Sequence, residues 1–198
     1  MFTFLENSNF LSDLEKQEID KIFWSEENPW SYQPITNDNF NAPGIIDLKE
    51  GYDISYFTFE PNKNSYEYQQ IKKIILKFLE INNIDYLNII RIKLNITPTH
   101  DEISQCPPHS DSKHPHLNFI YYINDAEGDT VLYNELADYK TIFTNPTVFK
   151  SVTPERGKAI LFDGRQFHAV TPPSRLPLRG VINALIEIKS WPDDLGYN

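Results

Sequence analysis

From Tyr86 onward the chain reads as strand after strand with no helix between them, and that order constrains the fold more than any other feature. Tyr86 to Ile96 alternates Arg91, Lys93 and Asn95 with Ile90, Ile92, Leu94 and Ile96, a period of two that gives one polar and one apolar face. Short apolar segments bounded by turn residues follow at Leu117 to Ile123, Thr130 to Tyr133, Val148 to Val152, Lys158 to Phe162, Phe167 to Thr171 and Arg179 to Ile188. Parallel strands need long crossovers, ordinarily helical, and this order supplies none. The expectation is a mainly β protein with flanking helices, a double-stranded β-helix or jelly roll over 86–190 buttressed on one outer face by N-terminal and central α-helices.

Those helices show in the first part of the chain. Ser12 with Glu15 makes a capping-box pattern, and Leu11, Leu14, Ile19, Ile22 and Phe23 predict one apolar face on a helix from about Asp13 to Trp24. Ile71, Ile74, Ile75, Phe78 and Leu79 repeat at helical spacing and predict a second helix laid on a sheet. Between them, Asn28 to Pro34 suits a loop or short strand over the core, and Gly44 to Leu48 and Ile54 to Phe59 suit strands. Residues 1–85 thus form helical support and edge strands for the core, and all 198 residues fit one domain.

Composition narrows the function. Lys and Arg number 18 against 28 Asp and Glu, a net charge of −10, so no basic stripe points to a nucleic-acid backbone. The acidic balance favours a small molecule or a peptide with basic residues as partner. The start lacks a basic region followed by an apolar core, and no later run approaches membrane-spanning length, which predicts a soluble, cytoplasmic protein. The lone Cys106 has no second thiol to pair with and reads as structural.

Within this frame, His109-Ser110-Asp111 lies just before the Leu117 strand. In extended chain residues i and i+2 share a side, so the His109 imidazole and the Asp111 carboxylate converge while Ser110 points away. His168, 59 residues further on (168 minus 109), is too distant to be a local partner, but a jelly roll brings such strands together. The hairpin from Lys158 to Phe162 through Asp163-Gly164 to Phe167 sets His168 near a strand start. Two histidines and one carboxylate with open positions are the donor set of non-haem Fe(II) oxygenases. Such a triplet also arises by chance, and its company matters: Arg179 opens the last apolar strand, and facing inward it needs an anionic partner. A dicarboxylate supplies one bidentately. One of Tyr121 and Tyr122 must face the same cavity, by parity. His114 with His116 makes a rival pair at i, i+2, but His100, His114 and His116 read as loop or surface residues.

Over roughly Tyr86 to Ile188 the chain resembles the 2-oxoglutarate and Fe(II)-dependent oxygenases of the prolyl-4-hydroxylase-like branch. The matching pieces are His109-Ser110-Asp111, Asn118 to Asn124, Glu127 to Tyr133, Arg156 to Asp163, His168 and Arg179. The resemblance implies that His109, Asp111 and His168 are catalytic iron ligands, that Arg179 and Tyr122 bind the distal carboxylate of 2-oxoglutarate, and that Asn95 or Lys93 meets its proximal carboxylate. It implies Fe(II), 2-oxoglutarate and O2 as cofactor and co-substrates, with ascorbate as an optional addition. The implied reaction hydroxylates a C–H bond and releases succinate and CO2; the carboxylate of Asp111, which halogenating relatives lack, favours hydroxylation. The substrate, a peptidyl residue such as proline or a small molecule, and the oligomeric state stay open. Trp30, Tyr32, Tyr133, Glu135, Arg165 and Gln166 are candidates for the cavity entrance. A non-catalytic jelly-roll metal-binding module and a cupin-like metal isomerase or hydrolase are the alternatives.

Overall fold

The structure is a computed structural model and describes residues 4–35, 54–100, 106–138 and 145–190. The expected strand at Gly44 to Leu48 lies outside them. Helix α1 spans Asp13–Phe23 and α2 spans Tyr66–Ile81. The capping box forms: the Glu15 amide donates to Ser12 Oγ at 3.3 Å and the Ser12 amide donates to the Glu15 carboxylate at 2.7 Å. Ile19, Ile22 and Phe23 are buried as the spacing predicts, but Leu14 is 78% exposed. Five residues before Ile19, at 3.6 residues per turn, it points about 140° away from that face. On α2 the whole predicted stripe is buried.

Among the described residues ten strands form two antiparallel sheets. They are β1 (Leu5–Asn7), β2 (Ser31–Ile35), β3 (Ile54–Phe59), β4 (Asn88–Pro98), β5 (His116–Tyr122), β6 (Thr130–Leu136), β7 (Val148–Val152), β8 (Ala159–Asp163), β9 (Gln166–Val170) and β10 (Leu178–Glu187). The larger sheet runs β1-β8-β5-β10-β4-β3-β2 and the smaller β7-β6-β9, the jelly-roll arrangement the strand series predicts. Pro34 sits in β2, an edge strand, where a missing N–H breaks no central ladder.

Helices cover one face of the large sheet and the small sheet lies over the other, so the central strand β5 is buried along its whole length. Leu117, Phe119 and Tyr121 join α1 and α2 in the main core, where Phe119 meets Phe78 edge-on at 5.3 Å and Phe10 meets both Phe78 and Tyr121. Ile120 and Tyr122 face between the sheets. A bulge opposite Leu185 and Ile186 alters the expected alternation of β4: Ile89 enters the core in place of Ile90, which is turned outward. Beyond the bulge Ile92 and Leu94 go to the helices, and Arg91, Lys93 and Asn95 go to the inter-sheet cavity.

The expected hairpin before His168 does not form. β8 pairs with β5 in the large sheet and β9 with β6 in the small one, so Gly164 and Arg165 carry the chain from one sheet to the other. Arg165 braces this corner with bonds to both carboxylate oxygens of Asp163, at 3.2 and 2.7 Å. No helix among the described residues is long and apolar enough to cross a membrane.

Candidate active site

His109 and His168 are brought together by backbone pairing rather than by side-chain contact alone. They face each other across an isolated antiparallel bridge and exchange both N–H···O bonds, each 2.9 Å long. The Cys106 amide, donating to the Val170 carbonyl at 2.7 Å, continues that pairing, so residues 106–109 run along the free side of β9. His109 therefore lies on a short bridged segment and not inside a regular strand, yet extended geometry still turns Asp111 to its side. Ser110 points the other way, as expected, and its buried hydroxyl donates to the Gly164 carbonyl at 2.9 Å.

The three candidate ligands converge. The imidazole centroids are 4.5 Å apart, and His109 Nε2 and His168 Nε2 lie 3.9 and 3.6 Å from the two oxygens of Asp111. The ligand atoms all fall within 4.8 Å of one another. His109 Nδ1 is 3.0 Å from the Pro107 carbonyl and His168 Nδ1 is 3.2 Å from the Gln166 carbonyl. A carbonyl can only accept, so each Nδ1 carries the proton and each Nε2 turns a lone pair to the centre.

Electrostatics agree with a cation there. Burial pushes the His109 imidazole down to about 4, with His168 adding to the effect, so it stays neutral and able to ligate. Burial pushes Asp111 up, but the adjacent His168, His109 and Arg91 outweigh that and hold it well below the usual carboxylate range. Asp111 Oδ2 is buried and has no hydrogen-bond partner. Two imidazoles and one carboxylate with an unsatisfied oxygen, an N2O set, fit a divalent transition metal with open positions. The rival pair does not assemble: His114 is exposed, and no histidine besides His109 and His168 joins the cluster among the described residues. His116 departs from the surface role expected of it. It is fully buried at the start of β5, its ring against Gly164 where any Cβ would collide with it.

A cavity of about 320 Å³ extends from the triad between the sheets. Arg179 lines it from the first inward-facing position of β10, level with Thr97 of β4. Its guanidinium is buried and donates to Thr130 Oγ1 at 2.7 Å, with Nε left without a partner. The Tyr122 hydroxyl donates to the same Thr130 oxygen at 2.8 Å, and the Arg179 guanidinium carbon is 5.5 Å from the Tyr122 ring centroid. Parity selects Tyr122 over Tyr121, yet its hydroxyl is committed to Thr130, placing it behind the cavity wall. Thr130, to which the sequence assigned no role, lines the cavity in its place. Both its acceptor positions are occupied, so its own O–H is left to donate to whatever fills the cavity.

Asn95, Lys93 and Asn183 also line the cavity, and the side-chain oxygens of Asn95 and Asn183 are buried without partners. None of the six residues suggested for the entrance lines it. Trp30 packs against the main core beside Phe23, Tyr133 is buried, Tyr32 meets Phe57 edge-on, and Glu135, Arg165 and Gln166 bind Thr147, Asp163 and the Tyr133 carbonyl.

The chain matches no protein-family model and no curated protein. Its fold is similar to solved structures. A prolyl hydroxylase from Trichoplax adhaerens, in complex with a hypoxia inducible factor oxygen degradation domain peptide fragment, aligns over 93% of this chain and 83% of its own, with a TM-score of 0.64 and 15% identity. An oxidoreductase of the 2OG-Fe(II) oxygenase family from Burkholderia pseudomallei aligns over 93% and 84%, with a TM-score of 0.64 and 13% identity. The epimerase SnoN, in complex with Fe3+, alpha ketoglutarate and nogalamycin RO, aligns over 98% and 87%, with a TM-score of 0.65 and 10% identity. The architecture is thus the jelly roll of the 2-oxoglutarate/Fe(II) oxygenases, in its prolyl-hydroxylase-like form.

Proposed function

We propose that this protein is an Fe(II)- and 2-oxoglutarate-dependent dioxygenase that hydroxylates a C–H bond of its substrate. The observation that carries the reading is the pairing, in one cavity, of the His109–Asp111–His168 cluster with the buried, anion-deficient guanidinium of Arg179. His109, Asp111 and His168 hold the metal on one face. Arg179 receives the distal carboxylate of 2-oxoglutarate, and the free Thr130 hydroxyl adds a hydrogen bond. Tyr122 positions both by its bond to Thr130. Asn95, one inward-facing position along β4 from the Arg179 level, can donate its side-chain N–H to the proximal carboxylate, which leaves Lys93, one position further, free of the co-substrate. When bound, metal, 2-oxoglutarate and O2 supply an oxidant able to cleave a C–H bond, with succinate and CO2 released.

The cavity wall supports this chemistry by combining an apolar lining with a few placed polar groups. Ile120, Ala169, Val170 and Val181 contribute the apolar lining, and the charged and amide groups belong to the metal cluster, to Arg179 beside Thr130, and to the inner face of β4 with Asn183, with the Tyr56 ring of β3 beside them. The substrate on this reading is a small molecule or a peptide, as is described for the epimerase and prolyl hydroxylase of similar fold.

The test is anaerobic addition of Fe(II) and 2-oxoglutarate, followed by the visible charge-transfer band of the chelate and, on admitting oxygen, by succinate and CO2. Asp111→Ala is expected to lose metal affinity, the band and succinate formation together. Normal succinate formation in that variant would refute the triad, and absence of the band in the folded wild-type protein would favour a non-catalytic binding module or a cupin-like hydrolase.

A further inference from the structure

The cavity carries more positive charge than the metal and co-substrate need. Arg91, Lys93 and Arg179 line it against the single carboxylate of Asp111, an excess of two positive charges. A divalent metal together with a doubly charged co-substrate leaves that excess unchanged. Arg179 is answered by the co-substrate, and Arg91 and Lys93 are not.

Their position separates them from Arg179. On the paired strands β4 and β10, Arg179 is level with Thr97, Val181 with Asn95, Asn183 with Lys93, and Leu185 with Arg91. Arg91 thus stems from a level six residues from Arg179, about 20 Å along a strand. At its end of the cavity it approaches the Asp111 carboxylate of the metal cluster. Its guanidinium reaches only to 3.7 Å from Asp111 Oδ1, beyond hydrogen-bond distance, and its Nε is buried with no partner. Lys93 stands beside it with its ammonium 5.4 Å from the Tyr56 ring centroid. Burial, and then the Arg91 charge, pull Lys93 below its usual pKa, as two cations held together short of anions would. The acids that act on Lys93 are the exposed Glu60 and Asp111 itself.

We propose that the primary substrate is a small molecule bearing an oxyanion, a carboxylate or a phosphate ester, and that Arg91 with Lys93 binds that group so that a neighbouring C–H bond faces the metal. The planar fork of Arg91, whose Nε has no partner, matches either oxyanion bidentately. This assignment rests on the oxygenase reading above. It also gives the cavity the opposite preference from the chain as a whole, whose net charge of −10 favours basic partners.

The test uses protein loaded anaerobically with Fe(II) and 2-oxoglutarate. At low ionic strength it is titrated with N-acetyl amino acids and phosphate monoesters, each beside its neutral carboxamide or alcohol, and the perturbation of the visible band reports binding. Anionic members are expected to bind at least about tenfold more tightly than their neutral partners. That preference is expected to fall to less than about threefold in Arg91→Gln and to stay above that but below the wild-type value in Arg91→Lys, which keeps the charge and loses the fork. Which set shows the preference names the oxyanion. The inference is overturned if no anion perturbs an intact band, if acid and neutral partners bind alike, or if Arg91→Gln keeps the preference. It is overturned equally if Arg91→Gln cannot form the 2-oxoglutarate band, since Arg91 would then serve the metal through Asp111. Failure of the wild-type protein to form the band would instead sink the oxygenase reading, and this one with it.

Discussion

Replacing Arg179 with methionine should stabilise the metal-free protein and abolish its response to 2-oxoglutarate, two effects of opposite sign from one side chain. Arg179 is 4% exposed, makes one hydrogen bond to Thr130, and has no carboxylate within ion-pair distance among the described residues. Apolar replacement of poorly compensated buried charges is commonly neutral or stabilising by about 1–4 kcal/mol, and loss of the Thr130 bond takes back about 1 kcal/mol. The net expectation for Arg179→Met is about 1 kcal/mol of added stability, or roughly 2–4 °C in Tm for a domain of this size. Ligand reverses the order. At a hundredfold excess over Kd, 2-oxoglutarate adds about 2.7 kcal/mol to the metal-loaded wild type. The variant lacks a desolvated charge pair worth about 2–5 kcal/mol, a loss of roughly 30-fold to several thousand-fold in affinity. Thermal denaturation with and without Mn(II) and 2-oxoglutarate measures both. A metal-free variant less stable than wild type by more than about 1 kcal/mol, or an undiminished ligand shift, would refute the reasoning.

Other substitutions test the supports of the site. Thr130→Val leaves the buried Tyr122 hydroxyl and one Arg179 N–H without their acceptor, and should cost about 2–4 kcal/mol in denaturant unfolding and at least about tenfold in 2-oxoglutarate affinity. Gly164→Ala puts a methyl group into the buried His116 ring at the corner that receives the Ser110 hydroxyl; it should destabilise by about 2–3 kcal/mol and weaken metal binding, both measurable by calorimetry. The Lys77 ammonium and the Ser12 cap hold the Glu15 carboxyl down at about 2, below its unfolded value, so its stabilisation is complete above about pH 4.5 and disappears as pH falls towards 2. Because the Glu15–Lys77 pair is half-exposed, Glu15→Gln should cost only about 0.5–1 kcal/mol at pH 7 and nothing at pH 2.

What the sequence could reveal was whatever a local period or a short spacing encodes. The strand alternation around Lys93 and Asn95, the helical stripe of α2 and the convergence of His109 with Asp111 are each set within a few residues, and each is found in the structure. Features set by distant pairing were hidden. The bulge that swaps Ile90 for Ile89 depends on the register of β10, nearly a hundred residues away. The chain's change of sheet at Gly164 looks like a hairpin turn until the partners of β8 and β9 are known. The burial of His116 depends on that same corner. Thr130 had no signal of its own, because its role comes from accepting two bonds from Tyr122 and Arg179, side chains placed by two other strands. Arg91 had only its parity with Lys93 and Asn95, the one clue that could have brought it into the site.

The contrast in charge between surface and cavity follows from where the pairs form. Outside, carboxylates meet their partners, as Asp20 does with Arg156 and Glu127 with Arg175, and these exposed pairs are locally neutral. Inside, Asp111 is shared by two histidines and Arg91, and it leaves Lys93 and Arg179 without a carboxylate among the described residues. The negative field of the whole chain opposes an approaching anion, but salt at physiological strength screens it beyond about 8 Å. Within the cavity the screening is weaker and the nearest charges are cationic. Capture of an oxyanion is thus a short-range event decided by Arg91 and Lys93. Selection acts against neutral analogues because they leave those two cations unanswered in a partly desolvated wall. Discrimination at this end of the cavity, and co-substrate binding at the Arg179 end, are therefore separable by mutation, since the two guanidinium groups meet different occupants at opposite ends of one ladder.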